Sequence, residues 1–274
     1  MLTRNANRLS VNQLEDRLAP AAQVLDLTTA GAFGGVRGAI FSQFSGTKAN
    51  VDTFLSMDTA RGGVIEQGVN TAAVQFDELS SHAVLRSDLP LVSIGGVDHV
   101  EFLLDVNESS SHPLISLDDL KVFVGPSPNL AVLDLSTGSL NGLPAVYNLD
   151  GELLDTGNPD PADWRIELNA GLAGKGKSTG TMLFYLPASL LTFPDVADPY
   201  VYLYSRFGTM NAADGKAETW SHGVGAAVSP STAGTLDATG LFTPASPPVP
   251  PAPPADSGTG DTGGGTGGDT GGRT

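Results

Sequence analysis

From Gln23 to Val228 the chain reads as short apolar or alternating runs cut by clusters of Gly, Pro, Asn, Asp and Ser, with almost no helical periodicity. A chain punctuated this often cannot build long helices, so the pattern predicts an all-β fold. The clearest run is Tyr200-Val-Tyr-Leu-Tyr-Ser, whose aromatics at 200, 202 and 204 fall on one face at the strand period of two. Further strands are expected over 24–27, 36–44, 83–86, 91–94, 100–106, 121–124, 130–135, 164–168, 182–186 and 219–228, with single helical turns at 117–120 and 187–191. Strands this numerous, joined by hairpin-length connections, point to an antiparallel β-sandwich or jelly-roll-like single domain.

Both ends differ from this middle. After about Ser229 comes Ser246-Pro-Pro-Val-Pro-Pro-Ala-Pro-Pro254, which favours polyproline II, then a run of Gly, Thr and Asp to Gly272. Such composition buries too little apolar surface to offset its ordering entropy, so a disordered tail is expected over 229–274. The organisation read from sequence is therefore 1–21 as an N-terminal segment, 22–228 as the sandwich and 229–274 as the tail.

The N-terminal segment contains Arg8-Leu-Ser-Val-Asn-Gln-Leu-Glu-Asp-Arg-Leu-Ala-Pro20. It resembles the targeting motif of the planctomycete extracellular protein family, matched at Leu14, Glu15, Asp16, Arg17 and Pro20; Asn12 stands where that family usually has Glu. The resemblance implies a secreted or cell-surface location, and it is confined to residues 8–20. Those first twenty residues lack the apolar run of a conventional export signal. No stretch approaches the roughly 20 apolar residues of a transmembrane helix, so no membrane insertion is expected.

Charge narrows the partners. The net charge is −16, and because residues 1–21 carry three Arg against Glu15 and Asp16, the remainder carries −17. Such a surface repels phosphate backbones, which argues against nucleic acid and leaves divalent cations and neutral envelope or matrix glycans and proteins as partners. The absence of Cys removes disulfides, thiolate metal sites and cysteine nucleophiles together.

Several motifs carry chemistry if the fold permits it. Asp105, Asn107, Glu108, Asp118 and Asp119 place oxygen ligands at alternate positions and then at a late pair, echoing calcium loops although the turn glycine is missing. They are the expected Ca²⁺ ligands. Asn148 to Asp160 is a second acidic loop of the same kind. Gly171-Leu-Ala-Gly-Lys-Gly176-Lys177-Ser178 has Walker A spacing, but a β-rich run follows where a phosphate-binding helix is required, so a plain connection is expected. Ser45 to Lys48 has Ser-x-x-Lys spacing without its usual companion motifs, and none of His82, His99, His112 or His222 sits in a zinc spacing.

No catalytic residue is assigned. Glu66, Glu101 and Glu218 are the carboxylates available to a glycosidase, and Trp164, Trp220 and the Tyr200 row are the aromatics available to a sugar. Three readings follow: a non-enzymatic structural or adhesion module, an envelope glycan-binding module, and a β-sandwich glycosidase or lyase. The first is the expectation.

Overall fold

Phe184 lies at the centre of the core. Its ring stacks on Phe41 at 4.9 Å and Phe102 at 5.5 Å, and meets Tyr147 at 5.5 Å and Trp220 edge-on at 6.3 Å. Register explains the row, since Phe41, Phe184 and Phe102 are direct cross-strand partners on three neighbouring strands. Each such side chain contributes about 2–3 kcal/mol by leaving water.

The computed structural model describes residues 23–47, 50–59, 63–71, 73, 76–151, 163–173, 179–223, 235–236 and 242–243. Two sheets face each other across this core. Sheet I runs in the order β1 (Gln23–Asp26), β15 (Trp164–Asn169), β10 (Leu114–Gly125), β17 (Tyr200–Phe207) and β5 (Glu66–Val69). β14 (Tyr147–Asn148) pairs with β10 and β7 (Val84–Leu85) with β17. Sheet II runs β2 (Phe33–Val36), β3 (Ala39–Thr47), β16 (Thr179–Pro187), β9 (Val97–Asp105), β18 (Glu218–Gly223), β4 (Val51–Met57) and β6 (Glu78–Ser81), with β8 (Leu91–Ile94) on β9. Pairing is antiparallel except between β1 and β15. The fold is an all-β sandwich. Trp220 ties the layers together, its Nε1 donating to Ser205 Oγ of the opposite sheet at 2.9 Å.

The Tyr row behaves as its period requires. Tyr202 and Tyr204 are buried on the outward face of sheet I together with Val69 and Phe123. They are covered by the 126–146 excursion, which carries the three-stranded ladder β11 (Leu133–Asp134), β12 (Ser139–Leu140) and β13 (Leu143–Pro144). The Tyr202 hydroxyl donates to Ser127 O, fastening that cover.

Two expectations need correction. The single strand expected over 36–44 is a hairpin, β2 to β3, turning at Arg37 (φ 52°) and Gly38 (φ 80°), a left-handed pair that suits a two-residue turn. The helical turn expected at 117–120 is the middle of β10, where a bulge falls between Leu117 and Asp119. The turn at 187–191 is present, as a 3₁₀ turn over Ala188–Leu190. Within the expected tail, β19 (Thr235–Leu236) pairs with β20 (Phe242–Thr243). Among the described residues no helix is long and apolar enough to cross a membrane.

Candidate functional site

β4 ends at Met57, β5 begins at Glu66 and β18 begins at Glu218, so one end of the sandwich brings together carboxyls from both sheets. The connection from β17 to β18, residues 208–217, closes over that end. Gly208 has φ +99°, and a Cβ there would stand 1.9 Å from Val64 O. A Cβ on Gly215 would stand 2.4 Å from Asn107 O. Only glycine lets the backbone approach this closely. Amides of Ala213 and Lys216 then donate to Val64 O at 2.9 Å and Asn107 O at 3.0 Å, pinning the cover on both sides.

Beneath it, Glu66 is 1% exposed and Glu218 is 0% exposed. Glu66 Oε1 accepts from the Thr59 amide at 3.1 Å and Glu218 Oε1 from the Asn107 amide at 3.4 Å. The second oxygen of each, and both oxygens of Glu108, are buried and have no well-formed hydrogen bond from another side chain or backbone group among the described residues. A proton supplies the missing donor. Burial, then the Glu66 carboxyl, pushes Glu218 up to about 11, so that its acid form donates to Glu66. Burial raises Glu66 as well, and raises Glu108 to about 7, helped by Asp214. The three desolvated carboxyls are held together by staying partly neutral.

A carboxyl pair sharing a proton is one arrangement of a general acid and base, but the present pair lacks two requirements of glycoside hydrolysis. The groups are in mutual hydrogen-bond contact, below the about 5 Å that the closest glycosidase geometry needs. They are also shut away from any substrate. Glu101 is elsewhere, on the outward face of sheet II, where it interacts with the Tyr185 hydroxyl.

The five expected calcium ligands divide between these surroundings. Asp105 closes β9, Asn107 is exposed while its backbone serves the cover, and Glu108 joins the buried cluster. Asp118 and Asp119 lie on sheet I. Asp118 accepts from the Thr209 amide at 2.6 Å, with its carboxyl raised by burial, and Asp119 is chelated by the Lys121 ammonium through both oxygens. Among the described residues no group of three or more His, Asp or Glu is drawn together as a metal centre. In the second acidic loop, Asp150 accepts from the Trp164 amide at 2.8 Å and is pushed up to about 7 by burial and then by Asp119. Glu152 to Asp160 lie outside the described residues, as do Lys48, Lys177 and Ser178.

The aromatics named from sequence are covered, wholly or in part. Trp220, Tyr202 and Tyr204 are buried, Trp164 and Tyr200 are half-buried, and no aromatic is among the exposed large apolar side chains of the described residues. A surface concavity of about 630 Å³ is lined by Val132, Asp134, Thr137, Ser139 and Asn141 among others. Its one carboxylate, Asp134, is occupied by the amide and hydroxyl of Ser136.

The chemistry missing from the sequence reading is the meeting of Glu66 with Glu218. It was invisible because the two sit on different sheets and no spacing relates them. Comparison of this chain with known protein families, with curated proteins and with solved structures finds no match.

Proposed function

We propose that this chain is a non-enzymatic, extracellular or cell-surface structural or adhesion module, an acidic β-sandwich that engages an envelope or matrix glycan or protein. One observation carries the reading. The carboxyl pair best placed for acid and base chemistry, Glu66 with Glu218, is enclosed and in mutual contact, so it serves the fold. The covered aromatics weigh against a sugar-stacking platform, and the acidic surface weighs against nucleic acid. The N-terminal motif resemblance supports the location. Calcium belongs to the same reading through Asp105 and Asn107, at the end of β9 and the start of the connection that follows it.

The test is fractionation of the native host with an antibody to the chain, alongside polysaccharide turnover assays on the purified protein. Recovery in the envelope or medium with no turnover is expected. Recovery in the cytosol removes the location, and turnover abolished by Glu66→Gln removes the non-enzymatic part. Equal melting temperatures in calcium and in chelator remove the ion.

A further inference from the structure

The excursion that covers the Tyr row ends in a tight hairpin. β12 and β13 pair Leu140 with Leu143, so Asn141 and Gly142 form a two-residue loop with φ of 50° and 79°. Both residues are exposed, and both line the surface concavity between Val132 and Pro144. Asn141 also lengthens the ladder from β11. Its amide donates to Val132 O at 2.7 Å. Its side-chain Oδ1 accepts from two consecutive amides, Ala131 at 3.0 Å and Val132 at 2.8 Å, where a main-chain carbonyl would otherwise stand.

Two backbone N–H groups on one carbonyl oxygen at these distances stabilise negative charge that develops there. Such charge develops on Oδ1 when a nucleophile adds to Asn141 Cγ. The amide nitrogen of the next residue is tethered at the spacing of a five-membered ring, so the addition is intramolecular. Gly142 presents that nitrogen without a Cβ to obstruct it. No atom stands within 4 Å of where its Cβ would be, which leaves the loop room to turn, and its N–H has no backbone acceptor among the described residues. No other Asn of the chain precedes a Gly.

We infer that Asn141-Gly142 is a self-modification site, where a spontaneous change of the main chain loosens the cover over the Tyr row. The Gly142 amide nitrogen gives its proton to solvent and bonds to Asn141 Cγ. The bond from Cγ to Nδ2 breaks, and ammonia leaves with a proton from solvent, which closes a succinimide. Water then opens the ring: addition at Cγ leaves Asp, and addition at the main-chain carbonyl leaves isoaspartate. The sum is one water consumed and one ammonia released. Isoaspartate adds a methylene to the main chain of a two-residue loop, so Leu140 no longer fits opposite Leu143. Leu140 is 0% exposed and packs with Phe123, Tyr202 and Tyr204, so its displacement uncovers the outward face of sheet I. The excursion thus ages by its own chemistry, wherever the protein acts and whatever it engages.

The experiment incubates the full, folded chain at mildly alkaline pH and maps its peptides by mass spectrometry over time. Conversion of amide to acid is expected at Asn141 before any other Asn, with isoaspartate detected there by enzymatic methylation. The converted chain, separated by its added negative charge, should melt below the parent and lose near-ultraviolet circular dichroism from the Tyr row. Asn141→Asp carries the charge without the added methylene and should melt close to the parent. Gly142→Ala, whose Cβ meets no neighbour, should slow the conversion. An Asn141 that stays an amide in the folded chain while the chain unfolded in denaturant converts overturns the site. Conversion as fast in Gly142→Ala overturns the route, and an isoaspartyl chain that melts like the parent overturns the loosening.

Discussion

At the C-terminal end of β4, Glu66, Glu108 and Glu218 lie beneath residues 208–217, with carboxyl oxygens that have no hydrogen-bond partner among the described residues. At the N-terminal end, about 16 Å along the same strand, Asp52 stands half exposed between two imidazoles. Both ends gather carboxylates at a rim of the sandwich, and they differ in what balances the charge. Where the rim is sealed, a retained proton does so, because desolvation makes a second ionised carboxylate too costly. Where the rim is open, imidazole nitrogens stand beside the acid and water reaches both. The lesson is that an acidic chain can bury carboxyls as neutral acids at one rim of the sandwich and leave another carboxylate to water at the next.

The largest expected effect comes from breaking the seal. Gly208→Ala places a Cβ against Val64 O and demands a left-handed backbone from alanine, for a loss of about 3 kcal/mol or more. In a domain of this size that lowers the melting temperature by about 10 °C. A variant that melts like the parent shows the cover to be compliant, and the contrast between the two ends then loses its basis.

A buried acid that does have a cation sharpens the comparison next. Lys121 is nearly buried on β10 and chelates Asp119. Lys121→Met keeps the stem and removes the charge, leaving Asp119 beside Asp150 with no ammonium, at a cost of about 2 kcal/mol. Thermal melts at pH 7 measure this. A change near zero means that Asp119 finds water instead.

The third effect is a pH dependence, and its sign is the reverse of ordinary acid denaturation. Glu108 and Glu218 titrate near 7 and 11 in the folded chain, while an unfolded glutamate titrates near 4.5. Between pH 4.5 and 7 the unfolded chain gives up protons that the folded chain keeps. Stability is therefore fullest below 4.5 for these groups and declines as pH rises through 7, with Glu218 continuing the decline toward 11. Measured in chelator, melting temperature should rise as pH is lowered from 8 to 5. It should fall again further down, where Asp26, lowered by its Thr28 hydrogen bonds, takes up its proton. Glu218→Gln retains a neutral donor to Glu66 and should stabilise by about 1 kcal/mol at pH 8 and hardly at all at pH 5. A parent curve that falls steadily from pH 8 to 5 contradicts the shared proton.

How much of this the sequence discloses depends on range. β17 and β8 are legible at Tyr200–Phe207 and Leu91–Ile94 because a period of two is a local property. The β2–β3 hairpin is not, since Arg37-Gly38 lacks the usual Asn-Gly signature and an arginine at positive φ leaves no trace in composition. The short strands β5 and β6 have no apolar alternation of their own, being shaped by the neighbours they pair with. Of the site, the residue types were legible and their partners were not. Glu66 and Glu218 stand out as acids in a β-rich chain, yet their contact depends on how two sheets stack. Glu108 reads as a calcium ligand by its local spacing, and its side chain is claimed instead by a cluster assembled from β5 and β18. His82 and His222 lie far apart in sequence and come beside the same carboxylate, Asp52, only because the strands that carry or precede them flank β4.

The smallest effect separates the two imidazoles beside Asp52. His222 is buried against Phe54, so His222→Ala removes a stacked ring and leaves a gap, at about 1–2 kcal/mol. His82 is half exposed and held to Asp52 only by a distant, solvent-screened contact, so His82→Ala should change stability by no more than about 0.5 kcal/mol. The two substitutions remove the same chemical group from opposite sides of one carboxylate, which makes the difference between them a measure of packing alone. Denaturant melts in chelator give both values. If His82→Ala costs as much as His222→Ala, the outer imidazole is part of the packed end of the sheet. The open rim would then be built as tightly as the sealed one.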